Sequence, residues 1–232
     1  MNLVTEGDLR RELDGRDDVK TWVLPPGTLI TPAAKTFLAD RKILLVDPAS
    51  EKPRRGEKRE HETHLQGSTL VSKTDPRIAF RGRLDSLQAQ VILAQARISR
   101  SGNTELVEDL GQVLHVLRQV LRCEVLDVPM EPFSLMGMSA DELREASHHP
   151  EKALGVSHFM PEHGMGMEMA LLNGIRTEVR ETELSACRAF CREENGGCCC
   201  TREDLVRALN RLSSAVYLMM CRLKSGRFYQ GR

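Results

Sequence analysis

Apolar residues recur at alternating three- and four-residue steps through four long stretches of the chain. In the first, Leu84, Leu87, Val91, Ala94 and Ile98 fall on one face of a helix. Asp75-Pro76 gives that helix a cap and a proline at its first position, and Ser101-Gly102 stops it. The second seam is Leu106, Leu110, Val113, Leu117 and Val120, reinforced by Val107, Leu114 and Leu121, with Thr104 as the expected cap. The third, over residues 170–190, places Leu172, Ile175, Val179, Ala186 and Ala189 on one side. The fourth starts at a capping-box-like Thr201 and Asp204. It runs through Leu205, Ala208, Leu209, Leu212, Val216, Met219, Met220 and Leu223. A shorter helix opens on Ser139 and Glu142 and ends near His148-His149-Pro150. These seams predict a mainly α protein, an up-and-down bundle of four to five helices.

Upstream the pattern changes. Residues 1–47 read as a small α+β appendage of docking or interaction type. A short helix around Thr5–Leu13 leads it. A strand at Trp22-Val23-Leu24 and another over residues 43–46 then flank a helix capped by Thr31-Pro32. Residues 48–62 are charged, hold proline and glycine and lack apolar periodicity, so they read as a linker. Residues 63–224 form the bundle, opening on a polar, hydroxyl-rich stretch, and 225–232 are a basic tail.

Composition narrows the function classes. The 33 basic and 33 acidic residues balance, and aromatics are 4% of the chain. Nothing resembles the basic, aromatic-interleaved face of a nucleic-acid binder. No apolar run approaches a membrane span, and the first ten residues are polar, so neither a membrane anchor nor an export signal is expected. Seven cysteines, an odd number, then predict reduced thiols in a cytoplasmic protein and not a disulfide framework.

The candidate chemistry sits where the patterns are broken. Arg176, Arg180 and Glu183 are at i, i+4 and i+7, and they border the apolar face of the third helix, while Glu178, Glu181 and Arg188 take the solvated side. Two readings fit that stripe: salt bridges between bundle helices, or a site for a polyanion, whose oxygens match the guanidinium fork. On the fourth helix Asn210, Ser213 and Tyr217 are polar groups on a stripe expected to be covered, and they need partners. His115 reads as a packed or surface histidine, and the adjacent His148 and His149 do not share a helix face. Cys198, Cys199 and Cys200 are consecutive, which suits loop thiols better than a metal site, although Cys187 and Cys191 are spaced to join them.

Three segments carry a resemblance. Val71-Ser72-Lys73-Thr74-Asp75-Pro76-Arg77, continuing into Arg83-Leu84-Asp85-Ser86-Leu87, is similar to the VSKxDPR…DEL segment of the PduO-type cobalamin adenosyltransferases. Arg176-Thr177-Glu178-Val179-Arg180-Glu181-Thr182-Glu183 resembles their RTVCRRAE helix, and Leu209-Asn210-Arg211-Leu212-Ser213-Ser214 their LNRLSD helix. The variants present, and a TPxA segment in the appendage, look closer to the ethanolamine-utilisation branch, EutT. The likeness covers residues 63–222 in the family's order, with a loose match upstream.

The resemblance implies transfer of the 5′-deoxyadenosyl group of ATP to reduced cobalamin, giving adenosylcobalamin for ethanolamine ammonia-lyase. ATP with Mg²⁺ and a reduced corrinoid would be the ligands. By carry-over Lys73, Arg77, Arg176, Arg180, Glu183 and Asn210 form the ATP site, with Arg176, Arg180 and Glu183 acting in catalysis. Asp85 would pair with Arg176 across a subunit interface, implying a homo-oligomer, trimer or dimer. Phe159 is the candidate aromatic facing cobalamin. The branch also implies contact with ethanolamine ammonia-lyase or a bacterial microcompartment. The chain departs from the pattern in three places. Thr63-His64-Leu65-Gln66-Gly67-Ser68-Thr69 replaces the family's glycine-rich phosphate loop; no cysteine precedes Cys123 where many EutT-like proteins carry a metal cluster, with Ser214 in place of an aspartate; and Phe159 is out of register with the family's cobalamin-facing aromatic. The altered loop favours the alternative of a non-catalytic corrinoid-binding or scaffold protein on the same bundle. A purely structural bundle is the third class.

Overall fold

The computed structural model describes residues 2–16, 18–46, 58–194, 197–226 and 228. The expected linker falls largely outside the described residues, as does most of the tail. The chain divides into two compact units, residues 1–59 and 60–232.

The first unit contains β1 (Asn2–Val4), α1 (Glu6–Glu12), β2 (Thr21–Val23), β3 (Thr28–Ile30), α2 (Pro32–Asp40) and β4 (Leu44–Val46). Thr5 caps α1 in a capping box with Asp8, and Thr31 caps α2 ahead of Pro32. Sequence reading found β2 and β4, which pair in parallel, but missed β1 and β3, which form a second parallel pair. Leu9, Leu13, Trp22, Leu24, Ala34, Phe37, Leu38 and Ile43 close a core of their own.

The second unit opens with a hairpin, β5 (Glu62–Gln66) and β6 (Thr69–Ser72), turning at Gly67 with φ +53°. The polar stretch ahead of the bundle is therefore a two-stranded ribbon. Four long helices follow: α3 (Pro76–Ile98), α4 (Thr104–Leu126), α7 (Met167–Phe190) and α8 (Glu203–Lys224). The predicted seams are buried along all four, with Val107, Leu121 and Ala189 left half-buried. Two caps move. Asn103, not Thr104, accepts from the Leu106 amide at the start of α4. No side chain caps α8, and Asp204 instead accepts from the Met130 amide and from Arg202.

The bundle order is α4, α3, α7, α8 and back to α4. Side-chain contacts fix the directions. Phe80 near the start of α3 meets Phe190 at the end of α7, and Asp109 near the start of α4 meets Arg222 at the end of α8. Every neighbouring pair is therefore antiparallel, while α4 and α7, diagonal to each other, run parallel. The connection between them must cross the bundle's length, and it does so through a short β7–β8 hairpin (Ser134–Leu135 and Met138–Ser139), α5 (Ala140–His148) and α6 (Pro150–Leu154). α5 is capped by Ser139 and Glu142 as expected, whereas α6 was not anticipated.

A second hairpin, β9 (Cys191–Glu194) and β10 (Gly197–Cys200), joins α7 to α8. Here the expectation of reduced thiols is corrected. The register sets Cys200 opposite Cys191, and the two are disulfide-bonded. Cys198 and Cys199 remain exposed thiols. The turn residues 195–196 lie outside the described residues.

Two buried charges brace the bundle. Glu124 is fully buried and accepts from Arg77 Nε at 2.7 Å and from Arg81 Nε. Arg81 also donates to the Leu65 carbonyl, tying β5 to α3. Removing the carboxylate would leave two guanidiniums facing each other, so Glu124→Ala is expected to cost about 3–5 kcal/mol in urea unfolding. Asp109, 5% exposed, has its carboxyl pushed up to about 6 by burial, with Arg222 opposing and Glu105 and Glu108 adding. The folded state thus holds this proton more tightly than the unfolded chain. Its contribution is greatest below the ordinary carboxylate range and is lost as pH rises through about 6. Asp109→Asn is expected to raise stability near pH 7.5 by about 1–2 kcal/mol and to flatten the fall seen on raising the pH from about 4. Unfolding curves at the two pH values measure both effects.

Candidate functional site

Helices α7 and α8 pack along their lengths. Where their polar stripes meet, the bundle surface opens into a cleft of about 690 Å³. From α7 come Arg176, Arg180 and Glu183, and from α8 Asn210, Ser213 and Tyr217. Both sets are spaced at three to four residues, so each lines one side of its helix. Antiparallel packing then sets the stripes against each other. Asn210 Nδ2 donates to Glu183 Oε1 at 2.9 Å across the helix pair. The far side of the cleft is built by the end of α5, through Ser147 and His148, and by the crossover residues His158 to Pro161.

The stripe on α7 does not form the salt bridges that the first reading of its spacing expects. None of Arg176, Arg180 and Glu183 is in an ion pair among the described residues. Arg176 Nη2 reaches only Asn173 Oδ1, at 3.3 Å, and its buried Nε makes no hydrogen bond among the described residues. The interhelical ion pair forms instead from Glu178, expected on the solvated side, which is half-buried and bridges to Arg83 of α3 at 3.1 Å. Two guanidiniums thus face a cleft with one carboxylate, an arrangement that favours an anionic ligand.

The crossover contributes a ring stack. His158 and Tyr217 lie nearly parallel with centroids 5.8 Å apart, and Phe159 stacks on Tyr217 at 6.2 Å. Lys224 Nζ sits 4.1 Å from the Phe159 centroid. His158 Nδ1 and the Tyr217 hydroxyl are hydrogen-bonded at 2.8 Å. Burial is the main cause that pushes the Tyr217 phenol up to about 12, so near neutral pH its hydroxyl stays protonated. Beside these rings, Met160 and Leu184 expose apolar surface, 81% and 50% exposed. The cleft therefore has a cationic wall and an apolar rim.

Of the residues singled out in the sequence, Arg176, Arg180, Glu183, Asn210 and Phe159 line this cleft. Lys73, Arg77 and Asp85 do not. Arg77 is engaged by Glu124 through Nε and by the Glu124 carbonyl through Nη2, with its guanidinium 5.7 Å from the Phe190 ring. Lys73 and Asp85 are exposed, at the end of the β5–β6 hairpin and on α3. His158, His148 and Ser147 were not picked out as site residues. Their signal was absent because a crossover, and not helical spacing, brings them to the cleft. Cys198–Cys200 lie on the hairpin and not in the cleft lining. Among the described residues no group of three His, Cys, Asp or Glu side chains is placed to hold a metal ion. No helix of the described residues is long and apolar enough to cross a membrane.

The chain is 37% identical to a corrinoid adenosyltransferase EutT of Salmonella typhimurium strain LT2 over 158 residues, and 36% identical to one of Escherichia coli K12 over the same length. Those matches cover 68% of this chain and 57% of each relative, so the matched stretch spans little more than half of the relatives' length. No solved structure matches significantly. The model of one family, cobalamin adenosyltransferase, matches residues 54–223, a stretch holding the whole bundle and its cleft, and the chain belongs to that family.

Proposed function

We propose that the chain is an ATP:cob(I)alamin adenosyltransferase of the ethanolamine-utilisation type. The observation that carries this reading is the cleft wall of Arg176, Arg180, Glu183 and Asn210, two guanidiniums in no ion pair among the described residues, beside one carboxylate. The reaction needs no protein nucleophile. Cobalt of cob(I)alamin attacks carbon 5′ of ATP with its own electron pair. The Co–C bond forms as the C5′–O bond breaks, and triphosphate leaves with the pair of that bond. A separate reductant supplies the cob(I)alamin.

The protein's tasks are placement, charge stabilisation and exclusion of water. Arg176 and Arg180 would meet the triphosphate, whose negative charge grows as the bond breaks. Glu183, fixed by Asn210, would orient the ribose. Phe159, Met160 and Leu184 offer apolar surface to the broad corrin face. Among the described residues no group of acidic side chains forms a cage for a resident Mg²⁺. The ion would arrive on the nucleotide's own oxygens as part of the substrate.

Lys73 and Asp85 fit this scheme if a second copy brings them to the cleft, and their exposed positions are compatible with that. Asp85 of one copy would then meet Arg176 of the next, making the enzyme a homo-oligomer. Adenosylcobalamin so made would serve ethanolamine ammonia-lyase, in the cytoplasm or inside a microcompartment. The alternative, a non-catalytic corrinoid-binding or scaffold protein, is favoured by two features: Arg77 is held by Glu124, and no glycine-rich loop precedes Lys73.

Arg180→Ala and Glu183→Gln are each expected to slow formation of light-sensitive adenosylcobalamin by about two to three orders of magnitude, with the helical circular-dichroism signal unchanged. Wild-type rates in both variants would sink the enzyme reading. ATP at about a hundred times its Kd should stabilise the chain by roughly 2.7 kcal/mol in thermal unfolding. No shift would leave only a structural bundle.

A further inference from the structure

We infer that Arg211 is a positioning residue for the cleft, orienting the Asn210 amide and through it the Glu183 carboxylate; the inference rests on the ATP-site reading above. Asn210 sits between two groups of opposite hydrogen-bonding character. On one side Arg211 Nη1 donates to its Oδ1 at 2.6 Å, and on the other its Nδ2 donates to Glu183 Oε1 at 2.9 Å. A guanidinium only donates and a carboxylate only accepts. A flipped amide would therefore set donor against donor and acceptor against acceptor. One orientation of Asn210 survives, and it holds Glu183 Oε1 in place.

Structural need does not account for Arg211. It is 6% exposed, yet it is in no ion pair among the described residues, and its buried Nε makes no hydrogen bond among them. Its pKa is lowered, by burial first and then by Arg144 and Arg207, which the nearby Asp141 and Glu183 only partly oppose. An apolar side chain of similar length would avoid that desolvation. What the charge supplies is direction. A chain of three polar groups, Arg211 to Asn210 to Glu183, runs from between the helices to the cleft and leaves one Asn210 amide proton and Glu183 Oε2 for a ligand. Arg211 also places a positive charge behind a wall that would meet triphosphate.

The test uses the full chain and three readouts. In ¹⁵N-labelled protein without substrate, the Asn210 side-chain amide signals should shift on both Arg211→Met and Glu183→Gln. Arg211→Met should keep or raise the thermal midpoint while lowering kcat/KM for ATP at least tenfold, and Arg211→Lys, which retains a donor, should recover part of that loss. In an Asn210→Ala background Arg211→Met should change kcat/KM less than twofold. An unmoved Asn210 signal in Arg211→Met, or a full tenfold loss in the Asn210→Ala background, overturns the inference. Coupled amide signals with turnover indifferent to Asn210, Glu183 and Arg211 alike would uphold the positioning and overturn the ATP-site reading instead.

Discussion

The antiparallel contact of α7 with α8 is the constraint on which the cleft depends. Each helix has an apolar seam flanked by a polar stripe. When the seams meet, the stripes are forced together at the edge of the contact. The Asn210–Glu183 hydrogen bond is the visible sign of that register. Burying Leu172, Ile175, Val179, Leu209, Leu212 and Val216 thus determines where Arg176, Arg180 and Asn210 stand. At roughly 1.5–3 kcal/mol per fully buried side chain, such burial outweighs the cost of holding a few polar groups at its margin.

The other charged features separate into load and ligand by the same test, the presence of a partner. Arg77 and Arg81 converge on Glu124, Arg83 on Glu178 and Arg222 on Asp109. Those arginines hold elements together. Arg176 and Arg180 are in no ion pair among the described residues although Glu183 shares their cleft, which is why the pair is legible as a site. Arg77 stands in the family's segment, and in this fold its guanidinium is bonded to Glu124 and does not line the cleft.

Much of the bundle was legible in the sequence because helical periodicity is a local signal. Four long helices, their buried faces and the caps at Asp75 and Ser139 follow from spacing and cap chemistry alone. The stripe of Asn210, Ser213 and Tyr217 was expected to be covered; instead Asn210 is exposed and the other two are half-buried, because the stripe lines an open cleft, where Asn210 meets Glu183 and Tyr217 meets His158. What escaped depends on contacts distant in sequence. Glu124 reads as one more helical glutamate until Arg77 and Arg81 are seen on it. His158 reads as a loop residue until the crossover lays it on Tyr217. The parallel strand pairs of the first unit join segments separated by a whole helix, and the pairing of Cys191 with Cys200 needs the hairpin register.

The β9–β10 hairpin has a consequence for how this chain tolerates change. It is the origin from which both polar stripes are counted, back to Glu183 on one side and forward to Asn210 on the other. Each residue of helix turns the stripe by about 100°. One inserted or deleted residue between Glu183 and Cys191, or between Cys200 and Asn210, would swing that stripe off the cleft while leaving a helix of the same composition. Length changes within the hairpin turn do not carry that penalty, because they precede the count on neither helix. Descendants of this chain are therefore free to vary in the turn and bound in the two short helical spans beside it.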